Sequence, residues 1–345
     1  MKKLIALISA CALALSLTAC SGSKNNTPNT NDGSNAGGST SQSGTPSTGV
    51  GDFPSETITI VCPYSAGGGT DIGARNMATV LSDRLGVNVV VENQTGAAGW
   101  IAWTDMITGG YDDGYRMCLL NHNFVFGELD DTNPREYNLD DIQLLCNQAL
   151  DYNVMAIRTN ETRFSDLNGF IEYAKANPVL IACQDTGILD GDATTAEWFN
   201  QTFGTQITPI PVDGASDSRG MFLAGDTDIL FGSISDVLSG YQNGEMNVAC
   251  LFADERSDFM PDVPTVKEVT GERFVGFAAR GYFYPKGVPA EIVEFMTETM
   301  LEAQKDPAYI ENMTTMGLQV DTTAGEDYAE LLASQMETRL AIWGK

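Results

Sequence analysis

Short runs of β-branched and apolar residues alternate along the chain with stretches whose apolar positions recur every three or four residues. Thr57–Cys62, Asn88–Glu92 and Arg116–Leu120 are of the first kind and read as strands. Ile72, Ala74, Met77, Ala78 and Leu81 line one face of a helix over Asp71–Leu85, and a second helix covers Trp100–Ile107. Apolar strands separated by amphipathic helices predict an α/β fold with a parallel sheet covered on both faces. Ligands of such sheets bind beyond the carboxyl ends of the strands. Polar loops fall at that edge: Tyr64–Asp71 after the first strand, Asn93–Gly99 after the second and Asn121-His122-Asn123 after the third.

The pattern continues with Val154–Arg158, a strand expected to cross into a second domain. A helix over Asp166–Lys175 follows, with Ser165 as its cap and Pro178 at its end. Further strands are expected at Val179–Cys183, Ile207–Val212, Asp228–Phe231 and Asn247–Leu251. Helices are expected at Ala193–Phe203, Ser235–Gln242 and Pro264–Val269. Phe274–Tyr284 should return to the first domain, and Pro289–Lys305 and Glu326–Trp343 read as packing helices. Two crossings between two α/β lobes make a hinge.

The most informative loop is Tyr64-Ser65-Ala66-Gly67-Gly68-Gly69-Thr70-Asp71. Three glycines permit a sharp turn and close approach of a ligand to the backbone, and Thr70 or Asp71 can cap the next helix. Such a turn presents N–H groups and a positive dipole end, which suits an anion. Neither the P-loop order nor G-x-G-x-x-G is present, so the sequence gives no support to a nucleotide phosphate site. The alternative is a turn whose glycines serve only the chain path.

The first residues change the picture of where the protein works. Met1-Lys2-Lys3 followed by apolar Leu4–Leu17 reads as a signal peptide over residues 1–19. Leu17-Thr18-Ala19-Cys20 resembles a bacterial lipobox, with Cys20 as the lipid-modified residue. Residues 20–52 form the anchor and a Ser/Gly/Asn/Thr spacer too polar to bury itself. The net charge of −27 becomes −29 once Lys2 and Lys3 are removed, which excludes nucleic acid as a partner. It also means that an anionic ligand must be held by local donors. Cys62, Cys118, Cys146, Cys183 and Cys250 lie in strand-like runs and are expected as buried thiols, with a disulfide left open. A single histidine and unclustered cysteines give no metal site, and no cofactor is expected.

Pro63–Asp71 with Val89–Gly99 resembles the opening of the tripartite tricarboxylate transporter solute-binding proteins, the Bug or TctC-like receptors, which read "PFPAGGGTD" and "VVVENRPGAGG". The likeness continues through Tyr111–Tyr115, Asp166-Leu167, Tyr173–Pro178, Pro261–Thr265 and Pro285–Pro289. It implies a two-lobed periplasmic binding protein-like (type II) fold, with residues 53–155 and 279–345 in lobe 1 and 156–278 in lobe 2. It also implies a non-enzymatic, monomeric receptor outside the cytoplasm, attached to the membrane only by its lipid. Such a receptor delivers a small organic acid to a two-subunit permease. The implied ligand groups are Tyr64, Ser65, Ala66, Gly67, Gly68, Gly69, Thr70 and Asp71, the Thr186-Gly187 turn, and the Asp213-Gly214-Ala215 turn. His122 and Arg280 are side-chain candidates, the latter for bidentate pairing with a carboxylate. Where relatives read "SGVGSSSH" this chain has Thr186–Ala193, which adds Asp190 and Asp192. These are either caps of the next helix or partners of a cationic or hydroxyl group on the ligand. A sensor of the same fold, or a hydrolase using Ser65 with His122 as base, are the competing readings.

Overall fold

A computed structural model describes residues 49–129, 134–183 and 189–344. The signal segment, Cys20, most of the spacer, Thr186 and Gly187 lie outside the described residues. The three expected strands form as β1 (Ile58–Cys62), β2 (Val89–Asn93) and β3 (Arg116–Leu120), connected through α1 (Gly69–Leu85) and α2 (Trp100–Thr108). β1 pairs in parallel with both β2 and β3. α1 buries Ala74, Met77, Ala78 and Leu81, and ends at Gly86, whose φ of 71° gives the left-handed cap.

The sheet is mixed rather than all parallel. β9 (Phe277–Pro285) lies antiparallel to β3, and β4 (Ile142–Arg158) lies antiparallel to β9. β4 has 17 residues, of which the apolar pattern predicted only the last five. Its earlier part contains Asn147, Gln148 and Asp151, all buried, and these polar positions break the alternation on which a strand reading depends. The far end of β4 pairs with β7 (Leu230–Ser233) and β8 (Met246–Leu251), so one strand belongs to both lobes.

The second lobe adds the parallel pair β5 (Val179–Cys183) and β6 (Ile207–Pro211). Its helices are α3 (Leu167–Ala176), α4 (Gly191–Phe203), α5 (Ala215–Ala224), α6 (Ile234–Gln242) and α7 (Val266–Thr270). The cap of α3 is Asp166, not Ser165: its carboxylate accepts from Gly169 N–H at 2.8 Å. One apolar core draws on residues 53–149 and 279–332 with Leu189, and two others on residues 154–274 with Ile342.

The C-terminal part holds α8 (Ala290–Ala303), α9 (Pro307–Thr315), β10 (Gln319–Val320), α10 (Gly325–Ala333) and α11 (Met336–Trp343). The single helix expected over 326–343 is thus two. α10 buries Tyr328 and Leu332 in the core of the first lobe, whereas α11 places Ile342 in a core of the second. Trp343 Nε1 donates to Thr194 Oγ1 at 3.1 Å. The chain therefore links the lobes a third time, beyond the two crossings expected. Cys62, Cys118, Cys146 and Cys250 are free, buried thiols and Cys183 is buried too, and burial pushes Cys62 and Cys146 up to about 12. Among the described residues no helix is long and apolar enough to cross a membrane.

Candidate functional site

The glycine turn is built around Asp71. α1 starts at Gly69 with Gly68 as N-cap, so neither Thr70 nor Asp71 caps it. The Asp71 carboxylate instead reaches back and accepts from Gly67 N–H at 2.9 Å. Arg75 donates to both of its oxygens, at 3.0 and 2.8 Å. Asn93 donates to it at 2.8 Å and to the Tyr64 carbonyl at 3.0 Å. Burial would raise the Asp71 carboxyl, but the bonds from Arg75, Gly67 and Asn93 hold it below its usual range. Asp71 fixes the turn and is not part of the cavity wall.

Beyond that turn lies a cavity of about 70 Å³ between the lobes, room for on the order of five water molecules. Four helix starts line it: Gly68–Thr70 of α1, Gly191 and Asp192 of α4, Ala215 of α5, and Ser233 with Asp236 of α6. Each presents the positive end of a helix dipole. Three are already met by carboxylates of the chain itself. Asp190 caps α4, accepting from Asp192 and Ala193 N–H, both at 2.8 Å. Asp236 accepts from Ser233 N–H at 3.3 Å and, across the lobes, from Gly69 N–H at 2.9 Å. A further contact between the lobes runs from Ser216 Oγ to the Ala66 carbonyl at 2.9 Å.

Arg280, on β9, enters the same space and is 5% exposed. Its Nη2 pairs with Asp151 of β4 at 2.7 Å and donates to Ser233 Oγ at 3.0 Å. Its Nε and Nη1 have no hydrogen-bond partner. The guanidinium lies flush against Gly69, where a Cβ would fall 2.2 Å from Nη1 and 2.0 Å from Ser235 Oγ. Ser235 Oγ in turn donates to Asp151 at 2.5 Å. Burial pushes the Asp151 carboxyl up to about 6, opposed by Arg280 and reinforced by Asp236.

His122, Asn121 and Asn123 form the wall beyond β3. Burial, then Arg339 and Arg280, hold the His122 imidazole well below its usual range, so it is neutral. Its Nδ1 and the Asn123 Oδ1 lack partners, as does Ser65 Oγ. Arg339, on α11, is buried with its guanidinium 4.1 Å from the centre of the Phe126 ring. Burial pulls it down to about 9 against the attraction of Asp190 and Asp192. It borders a small space behind His122 and Gly191.

Of the residues predicted from sequence, the structure brings Tyr64, Ser65, Gly68, Gly69, Thr70, His122, Ala215 and Arg280 to the cavity. Ala66, Gly67, Asp71, Asp213 and Gly214 do not line it. Asp213 is exposed, and Gly214 packs on Ser65, where a Cβ would meet Oγ at 2.2 Å. Asp190 caps α4 as one reading held, but it is buried rather than solvated. Asn123 lies in the polar loop expected at that sheet edge, whereas Asn153, Ser233, Asp236 and Arg339 were not anticipated. A usable signal existed only for Asp236, in the Ser-x-x-Asp order that opens a helix.

A model of the tripartite tricarboxylate transporter family receptor matches residues 73–344. The chain belongs to that family. Among relatives of this receptor is a Cupriavidus necator protein described as "UPF0065 protein in gbd 5'region", 27% identical, with 84% of this chain and 87% of that protein covered. A solved structure described as a periplasmic transporter is 25% identical, covers 85% of this chain and 98% of its own, and superposes with a TM-score of 0.75. MatC from Rhodopseudomonas palustris with bound malate shares the fold at 22% identity, covers 84% of this chain and all of its own, and gives a TM-score of 0.75. The receptor thus has the α/β periplasmic binding protein fold, and its family binds rather than transforms its ligands.

Proposed function

We propose that this receptor is anchored outside the cytoplasm by lipid on Cys20, closes on a small organic carboxylate, and passes it to a two-subunit membrane permease. The observation that carries the reading is the convergence of four helix starts and the half-unpaired Arg280 on one cavity between the lobes. Buried N–H groups without partners, as at Arg280 Nε and Nη1, are costly unless a ligand supplies acceptors. With a net charge of −27, the protein's far field repels an anion. Attraction must then be local, from Arg280 and the amides, inside a cleft that screens the distant acids. That MatC holds malate supports a carboxylate as the ligand. Ser65 Oγ has no hydrogen bond to a base, which supports capture rather than acyl transfer. A thermal-shift screen over mono-, di- and tricarboxylates and aromatic acids tests it. At least one acid is expected to raise the melting temperature. Stabilisation by sugars or cations alone would overturn the reading.

A further inference from the structure

The polarity of the cavity is not that of a site for a plain anion. Asp190, Asp192 and Asp236 line it together with Arg280, and Asp151 and Arg339 stand directly behind. Four carboxylates face two guanidiniums. Asp190 is taken up as the α4 cap, Asp236 by Gly69 and Ser233, and Asp151 by Arg280 and Ser235. No hydrogen bond reaches the half-buried Asp192 carboxylate from the described residues. Asp190 and Asp236 repel its charge, and burial with that repulsion holds its carboxyl well above the usual range. In the same cavity lining, Asn123 Oδ1 is a buried acceptor without a donor, in a residue 3% exposed. Opposite in character are Arg280 Nε and Nη1, buried donors without an acceptor.

A dicarboxylate would satisfy Arg280 and add two more negative charges among those of the cavity. A molecule with one carboxylate and one protonated nitrogen would satisfy both sets. We infer that the ligand carries a cationic nitrogen beside its carboxylate, as an α-amino acid does. Arg280 and the amides at the start of α1 take the carboxylate, and Asp192 and Asn123 Oδ1 take the ammonium group. The inference rests on the receptor reading above and narrows its ligand class. Neutral His122 fits this division, because an imidazolium there would add a third cation to those of Arg339 and Arg280.

Matched pairs differing only in the amino group test it by titration calorimetry on the full chain: alanine with propionate, phenylalanine with 3-phenylpropanoate, aspartate with succinate. In at least one pair the amino acid is expected to bind at least tenfold more tightly. Asp192→Asn should then remove that preference, while the melting temperature of the free protein holds or rises. Equal or tighter binding of the desamino partners, or an amino preference that survives Asp192→Asn, would overturn this inference and leave the carboxylate receptor standing. Absence of binding in every pair would overturn this inference, and the carboxylate reading falls with it only if no acid of the thermal-shift screen stabilises the protein.

Discussion

Arg280 divides its hydrogen-bonding groups between the fold and the site. Nη2 is engaged by Asp151 and Ser233, while Nε and Nη1 are buried without a hydrogen-bond partner in a residue that lines the cavity. Both members of the pair are almost wholly buried, with side chains 6% and 0% exposed. Removing one partner of such a pair strands the other charge, at a cost of about 3–5 kcal/mol. Arg280→Ala is therefore expected to lower folding stability by about that amount near neutral pH. The loss should shrink in acid. The folded Asp151 carboxyl is already raised to about 6 from 3.8, and without its cation it rises further. A raised carboxyl favours the folded state only where it is protonated, so the variant should lose stability as pH climbs from 5 to 8 more steeply than the wild type. Denaturant titrations at those two values check this, and Asp151→Asn placed on Arg280→Ala should recover part of the loss. A uniform loss at both values, or no loss, would show that the pair does not hold the site together.

The start of α1 shows how an element is shaped by its neighbour across the cleft. Gly69 lies against Ser235 and Arg280 so closely that any side chain collides with both. Gly69→Ala is expected to break the Gly69–Asp236 contact and to weaken ligand binding by an order of magnitude or more, while α1 itself keeps its helicity, alanine being the better helix former. Calorimetry with the stabilising acid, beside circular dichroism, separates the two effects; unchanged affinity would place the ligand elsewhere. This is also the scale at which sequence reading worked best. β1, β2, β3 and α1 announce themselves because one face of each is uniformly apolar. The glycine turn is readable because backbone N–H groups come with any such turn. β4 was only partly readable, since Asn147, Gln148 and Asp151 are buried by partners more than a hundred residues away, such as Arg280 and Asp321. Arg339 escaped for the same reason: on α11 it looks like a solvated position, and only the packing of that helix on the second lobe turns it inward. The role of Asp236 depends on a bond to a residue 167 positions away, which no local pattern encodes.

At the scale of the whole molecule, β4, the segment entering β9 and α11 join lobes whose apolar cores are separate. Direct bonds between the lobes, Gly69 to Asp236 and Ser216 to Ala66, already hold the cleft narrow. A ligand must insert among these contacts and replace them with better ones, so its binding energy is available for closure only to the extent that it prefers the closed arrangement. The central claim is that the ligand lies between the faces built by residues 64–70 and by the starts of α4, α5 and α6. Hydrogen–deuterium exchange of the full chain, with and without an acid that raises its melting temperature, tests that most directly. The account predicts slowed exchange in segments on both faces together, around Ser65–Thr70 and around Ala215–Ser218 or Ser233–Val237. Protection confined to one lobe, or to surfaces away from the cleft, while the acid still stabilises the protein, would contradict it.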